Sequence, residues 1–182
     1  MDKKIQDFFK VFFSKIGENE EREGLLKTPN RVLDSWENLY SGYAKNPLEL
    51  LNAIKYSENY DEMVILKDIE FYSMCEHHIL PFFGKVNIGY LPNAKLVGIS
   101  HLVELVDIFA KRLQIQERLN EQITECIWSA LNPKGVMDVI EATHLCMAMQ
   151  GKKNARIITS SVRGTFKKDA RSRAEFMEHI SV

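Results

Sequence analysis

The sequence predicts an α+β fold: an antiparallel sheet of four strands with two helices on one face, preceded by helices at the N-terminus. Three observations carry this expectation. Residues 63–90 and 136–165 hold β-branched and aromatic side chains in short runs punctuated by Gly and Pro, as strands do. Residues 101–131 lie between them without a single Gly or Pro and repeat apolar positions at helical spacing. Residues 5–40 show helical spacing and no strand texture. The 182 residues suit one compact domain, with an N-terminal helical region over 1–60 and a sheet-bearing region over 61–182.

Taken in order, Ile5, Phe8, Phe9, Phe12, Phe13 and Ile16 recur every three or four residues and predict a helix with one strongly apolar stripe, ending at Gly17. Residues 18–24 are charged and read as a solvated loop. Thr28 followed by Pro29 predicts an N-cap and first helical position, opening a helix whose core face is Val32, Leu33, Trp36, Leu39 and Tyr40 and which Gly42 ends. Pro47 to Ile54 predicts one more short helix. Val64, Leu66, Ile69 and Phe71 form a first strand and Val86, Ile88 and Tyr90 a second, with Pro81 to Gly84 as the connection. Ser100 is expected to cap the long helical stretch, which divides near Leu113 to Gln116 where the apolar phase slips; Asn132-Pro133 ends it. Cys126 sits among Ile123, Ile127 and Trp128 as a core thiol. Val136 to Met149 and Arg156 to Thr165 supply two further strands, and Ala170 to Ile180 a closing helix behind Asp169 as N-cap.

Composition narrows the function. Hydrophobic content of 45% with 27% charged residues describes a soluble globular protein, and a net charge of −1 gives no attraction to nucleic acid or an anionic membrane. Three cysteines and no exported-protein leader pattern point to a reducing, cytoplasmic setting. No apolar run approaches the roughly 18 residues of a membrane span.

The chemistry concentrates in Cys75-Glu76-His77-His78. In a tight loop or helical turn, Cys75 and His78 at i and i+3 project to one side, as a half-site for a tetrahedral metal requires, while His77 points elsewhere. A second constellation, His144-Leu145-Cys146, is expected on a strand, where positions two apart share a face. Either motif alone arises by chance in many sequences. Together they predict one site in which two thiolates and an imidazole favour zinc, and three protein ligands leave a position open for catalysis.

Several motifs in order, Thr28-Pro29-x-Arg31-Val32, Ser73-x-Cys75-Glu76-His77-His78, Gln114-Ile115-Gln116-Glu117-Arg118-Leu119, Glu141-Ala142-x-His144-x-Cys146, Thr159-Ser160-x-x-Arg163-Gly164-x-Phe166 and Arg173-x-Glu175-Phe176, resemble those of GTP cyclohydrolase I, the zinc enzyme that opens pteridine synthesis. The resemblance implies zinc held by Cys75, His78 and Cys146, with His144 and His77 as acid/base groups and Ser100 near the ribose. It assigns guanine recognition to Glu117, with Gln116 beside the purine, and keeps Arg31, Arg118 and Arg163 basic for the triphosphate. It further implies a tunnelling fold, in which small sheets from several subunits close a barrel, and a homodecamer with sites between subunits. The substrate would be GTP and the products formate and 7,8-dihydroneopterin triphosphate. Read from composition alone, Glu117 is an ordinary surface glutamate at a helix start.

The departures concern the phosphates. The family usually has lysine at the position of His101 and arginine at those of Glu104 and Gln150, and some members have lysine at that of Asp34. Each lost charge-assisted contact removes about 1.5–3 kcal/mol. Candidate replacements are Arg31, Lys111, Arg112, Arg118, Lys152, Lys153 and Arg163. Two other readings remain at this stage: the same chemistry on a less phosphorylated guanine nucleotide, and a purely structural zinc, which would need Glu76 to turn inward as a fourth ligand.

Overall fold

A computed structural model describes residues 3–53, 55–57, 60–152 and 155–181. The chain divides into two compact units, Met1–Ser41 and Gly42–Val182. In the first, helix α1 (Lys3–Ile16) buries Phe9 and Phe13 and leaves Phe8, Val11, Phe12 and Ile16 exposed. Helix α2 (Thr28–Leu39) carries Pro29 in its first turn as expected, but its N-cap is Lys27, and Thr28 Oγ1 instead donates back to the Gly24 carbonyl. The helix closes at Tyr40, before Gly42, which belongs to a short 3-10 turn, Ser41–Ala44.

The second unit begins with α3 (Pro47–Ala53); Ile54, expected as its last residue, lies outside the described residues. Two short strands, β1 (Lys55–Tyr56) and β4 (Leu96–Val97), pair with each other. The main sheet contains β2 (Val64–Cys75), β3 (Leu80–Leu91), β5 (Leu113–Gln114), β6 (Gly135–His144) and β7 (Arg156–Gly164). Its order is β5-β2-β3-β6-β7, with the four long strands antiparallel and β5 added in parallel beside β2. The β2–β3 connection is the turn Glu76–Ile79, and Pro81 to Gly84 lies inside β3. Gly84 belongs there because a Cβ would come within 1.9 Å of the Glu141 carbonyl oxygen. A bulge between Leu66 and Ile69, with Asp68 at a φ of 60°, explains why the apolar phase of β2 shifts by one residue at that point.

Two helices, α4 (Ile99–Ala110) and α5 (Gln116–Leu131), pack on one face as the sequence implies. Gly98, not Ser100, is the N-cap of α4, and Ser100 lies in its first turn. That face buries Leu66, Phe71, Val86, Ile88, Val136, Ile140 and Ala142 against Leu102, Leu105, Leu119, Ile123 and Ile127. Each such aliphatic or aromatic side chain contributes about 1.5–3 kcal/mol when fully buried. The opposite face is covered only in part: after the single turn α7 (Thr165–Lys168), helix α8 (Ala170–Ile180) sets Phe176, with Phe166, against Met137 and Val139. Asp169 caps α8 by accepting the Arg171 N–H, as predicted. Gly89 leaves room for this helix, since a methyl there would sit 2.5 Å from the Phe176 ring. Farther along the same face, Tyr72, Phe83 and Ile158 remain exposed.

One charge-bearing group lies inside the α5 face. Asp138 is fully buried, its Oδ1 accepts the Ser161 N–H at 3.2 Å, and its Oδ2 has no hydrogen-bond partner. Burial pushes its pKa well up, against a smaller opposing effect of the Asn120 side chain. A raised carboxyl disfavours folding once the unfolded chain ionises, so the penalty is absent below about pH 4 and grows as pH rises. Asp138→Asn keeps the Oδ1 acceptor and removes that penalty. Denaturant titration should show the variant more stable than the parent at pH 7 and equal to it near pH 4; equal stability at both would mean Asp138 is not desolvated.

Candidate metal centre

Cys75 ends β2, and its Cα partner across the hairpin is Leu80, the first residue of β3. The turn between them is closed by Ile79 N–H donating to the Cys75 carbonyl at 2.9 Å, which brings His78 back over Cys75. Ile79 takes a φ of 53°, a left-handed conformation that a β-branched residue rarely adopts. This tip is tied to the α4–α5 connection. Ser73 Oγ donates to the Ala110 carbonyl at 2.7 Å, Glu76 N–H donates to Gln114 O at 2.9 Å, and Gln114 pairs with Cys75 in the short parallel ladder.

Cys146 arrives by a different route from the one expected. Strand β6 stops at His144, and Leu145–Ala148 form a single helical turn, α6, so the two residues do not share a strand face. His144 is the N-cap of this turn. The helical turn carries Cys146 to Cys75 and leaves the His144 ring stacked on Phe82, 4.7 Å between centroids and 9° between planes. Ligand atoms of Cys75, His78 and Cys146 all lie within 4.8 Å of one another. Cys75 Sγ and His78 Nδ1 are 3.7 Å apart. A tetrahedral zinc with ordinary Zn–S and Zn–N bonds spans ligand edges of about 3.5–3.8 Å, so this donor set fits the ion in both chemistry and spacing.

Around the triad, Glu76 turns away from it. Arg118 grips Glu76 through two bonds, 2.5 Å and 2.9 Å, and this guanidinium holds the carboxyl below its usual range. The closed four-ligand arrangement that a structural metal would need is therefore not formed by Glu76. His77 is exposed, with Nε2 3.9 Å from Glu76 Oε1. His144 Nε2 lies 2.9 Å from Gln116 Oε1. Burial lowers the His144 pKa, and the nearby Glu117 carboxylate, exposed at the start of α5, works against that shift.

Within the second unit, Ser100 and Arg163 are not brought to this cluster. Ser100 is exposed at the N-terminal end of α4, about 15 Å along the helix from Ala110, the end tied to the hairpin tip. Arg163 pairs with Val136, eight residues along β6 from His144 or roughly 27 Å of strand, and is engaged by Glu121 and Glu125. Arg31 and Asp34 are exposed on α2, in the other unit. Among the substitutes considered for the phosphates, Arg112 donates to the Gly42 and Ile108 carbonyls and stacks between Tyr43 and Phe109, and Lys111 pairs with Asp107. Lys152 and Gln150 are exposed, and Lys153 lies outside the described residues. Glu104 is neutralised by Lys45 at 2.9 Å, a partner that sequence reasoning missed because 59 residues separate them. His101 Nδ1 lies 3.5 Å from Ser100 Oγ.

A family model described as GTP cyclohydrolase I matches residues 5–181. The chain belongs to the GTP cyclohydrolase I family. Among curated relatives, GTP cyclohydrolase 1 of Wolinella succinogenes is 56% identical, over 98% of each chain. That of Helicobacter pylori strain G27 is 52% identical, over 96% of this chain and 98% of the relative. A solved structure of an archaeosine synthase QueF-like protein in its apo form aligns at 19% identity and a TM-score of 0.45, over 57% of this chain and 96% of that one. No helix among the described residues is long and apolar enough to cross a membrane.

Burial and the neighbouring Cys75 raise the Cys146 thiol above its ordinary range. Metal binding needs thiolates, so uptake must expel protons. Adding Zn2+ to metal-free protein in weak buffer should acidify the solution, and affinity should climb between about pH 6 and pH 8. Cys75→Ser should lose both signals; stoichiometric binding that survives this change would place the metal elsewhere.

Proposed function

We propose that Cys75, His78 and Cys146 hold zinc and that the protein hydrolyses the imidazole ring of GTP at C8, releasing formate and rearranging the remainder to 7,8-dihydroneopterin triphosphate. The observation that carries this reading is a three-ligand set beside a histidine, His144, that is held in place without belonging to the ligands. Family membership makes the chain an enzyme of the hydrolase class. Bound zinc supplies Lewis acidity, which makes water nucleophilic near neutral pH.

The chain's own groups do the rest. Addition of water at C8 needs a proton at N7, and His144 delivers it once its free ring nitrogen has taken one up. His77, exposed beside the cluster, is the second acid/base group, used in ring opening and formate loss. Glu117 accepts from guanine N1–H and the 2-amino group, a two-point contact that adenine cannot make. Ser100 lies by the ribose, and Arg31 and Arg163 serve the triphosphate. The separation of Ser100 and Arg163 from the cluster in one chain supports sites completed by neighbouring copies, as in a tunnelling-fold decamer. The exposed Tyr72, Phe83 and Ile158 supply an apolar sheet face for such closure. The three unpaired thiols suit a cytoplasmic setting.

Zinc-loaded protein offered GTP, GDP, GMP and guanosine at matched concentrations should release formate fastest from GTP. His144→Ala should cut turnover by about 10²–10⁴-fold with zinc retained, the contribution typical of a positioned proton donor. Loss of zinc in that variant would make His144 a ligand and overturn the assignment; preference for GMP or guanosine would overturn the substrate.

A further inference from the structure

Gln116 lies beside guanine in the resemblance, yet its side chain is already fully engaged by the protein. It is 2% exposed. Its Nε2 donates to the Ile140 carbonyl at 3.1 Å, the Ile157 carbonyl at 3.0 Å and Thr159 Oγ1 at 2.9 Å. Main-chain carbonyls only accept, so the amide cannot be turned over without setting an oxygen against two oxygens. The remaining atom, Oε1, is therefore the one at His144, and it too only accepts. The ring nitrogen 2.9 Å away must be the donor.

We propose that Gln116 is a positioning residue for His144 and not a substrate contact: its clamped amide fixes the proton of the neutral His144 ring on Nε2, leaving Nδ1 as the nitrogen that faces the chemistry. The inference rests on the reading of His144 given above. The clamp continues inward. Thr159 Oγ1 accepts from Gln116 and gives its own proton to Asn120 Oδ1, and Asn120 is buried on α5 four residues beyond Gln116. Four side chains, His144, Gln116, Thr159 and Asn120, thus form one directed hydrogen-bond chain across β6, β7 and α5. The stacked Phe82 ring fixes the imidazole plane in the remaining direction.

The tautomer can be read without substrate. In protein carrying ring-labelled (13C, 15N) histidine, the His144 signal, identified by its loss in His144→Phe, should report Nε2–H in the zinc-loaded unsubstituted chain. Gln116→Met should shift it toward a mixture of tautomers. In turnover, Thr159→Val should lower kcat about tenfold while KM for GTP stays within about twofold, with zinc content unchanged, and Thr159→Ser should restore most of kcat. An Nδ1–H signal in the unsubstituted protein overturns the proposal, as does a rise in KM at constant kcat in Gln116→Met. Since the spectrum is taken with no nucleotide present, a protein that releases no formate would refute the reaction and leave the tautomer assignment standing or falling by itself.

Discussion

The register of β3 is the constraint on which the site depends. This strand pairs with β2 on one side and β6 on the other, matching Leu80 to Cys75 and Phe82 to His144. Strands flanking a common neighbour stand about 10 Å apart, too far for two short thiols to meet across the sheet plane. The meeting happens because β3 starts at Leu80 and β6 stops at His144, so the turn Glu76–Ile79 and the helical turn α6 bend toward each other beyond the strand ends. A one-residue slip in either ladder would send every side chain of that strand to the other face and part the triad. The apolar residues of β3, Val86, Ile88 and Tyr90 among them, hold the register by being buried on a defined side.

Several of the chain's cations already have carboxylate partners within it. Arg118 is committed to Glu76, Arg163 to Glu121 and Glu125, and Lys45 to Glu104. The Glu76 contact keeps the hairpin tip's carboxylate away from Cys75, His78 and Cys146, which in the proposed reading leaves a fourth position open. The Lys45 contact removes the repulsion that an isolated Glu104 would exert on a polyanion, although an exposed pair of this kind contributes little to stability.

The ligand triad was legible in the sequence because metal spacing is local: Cys75 and His78 are three apart, and a turn of either kind presents them together. Cys146 was found for an imperfect reason. The β-rich texture of Val139 to Thr143 carries the strand expectation on to Met149, whereas the single turn Leu145–Ala148 is too short to show a helical period. The bulge between Leu66 and Ile69 shows only against the paired strand. Long-range side-chain pairing was not legible. Nothing in the local sequence says that Arg118 reaches back 42 residues to Glu76 or that Gln116 is clamped by β6 and β7. Both therefore looked like residues free for substrate.

Helix α5 shows why polar residues were placed in that buried position at all. Gln116, Asn120 and Thr124 recur every four residues, forming a polar stripe on a face otherwise filled by Leu119, Ile123 and Ile127. Opposite them stand Thr159 and Ser161 on β7 and the Ile140 carbonyl on β6; Thr124 Oγ1 and Ser161 Oγ are 2.7 Å apart. An apolar helix face would tolerate rotation or sliding on the sheet at modest cost. A buried polar stripe does not, because each donor or acceptor left unmade costs about 1–3 kcal/mol. Matching the stripe to β7 fixes the rotation of α5, and with it the place where Glu117 emerges next to His144. The same bonds that cost the core apolar area thus hold Glu117 and His144 in register, the two groups to which the proposed reading gives guanine recognition and proton transfer.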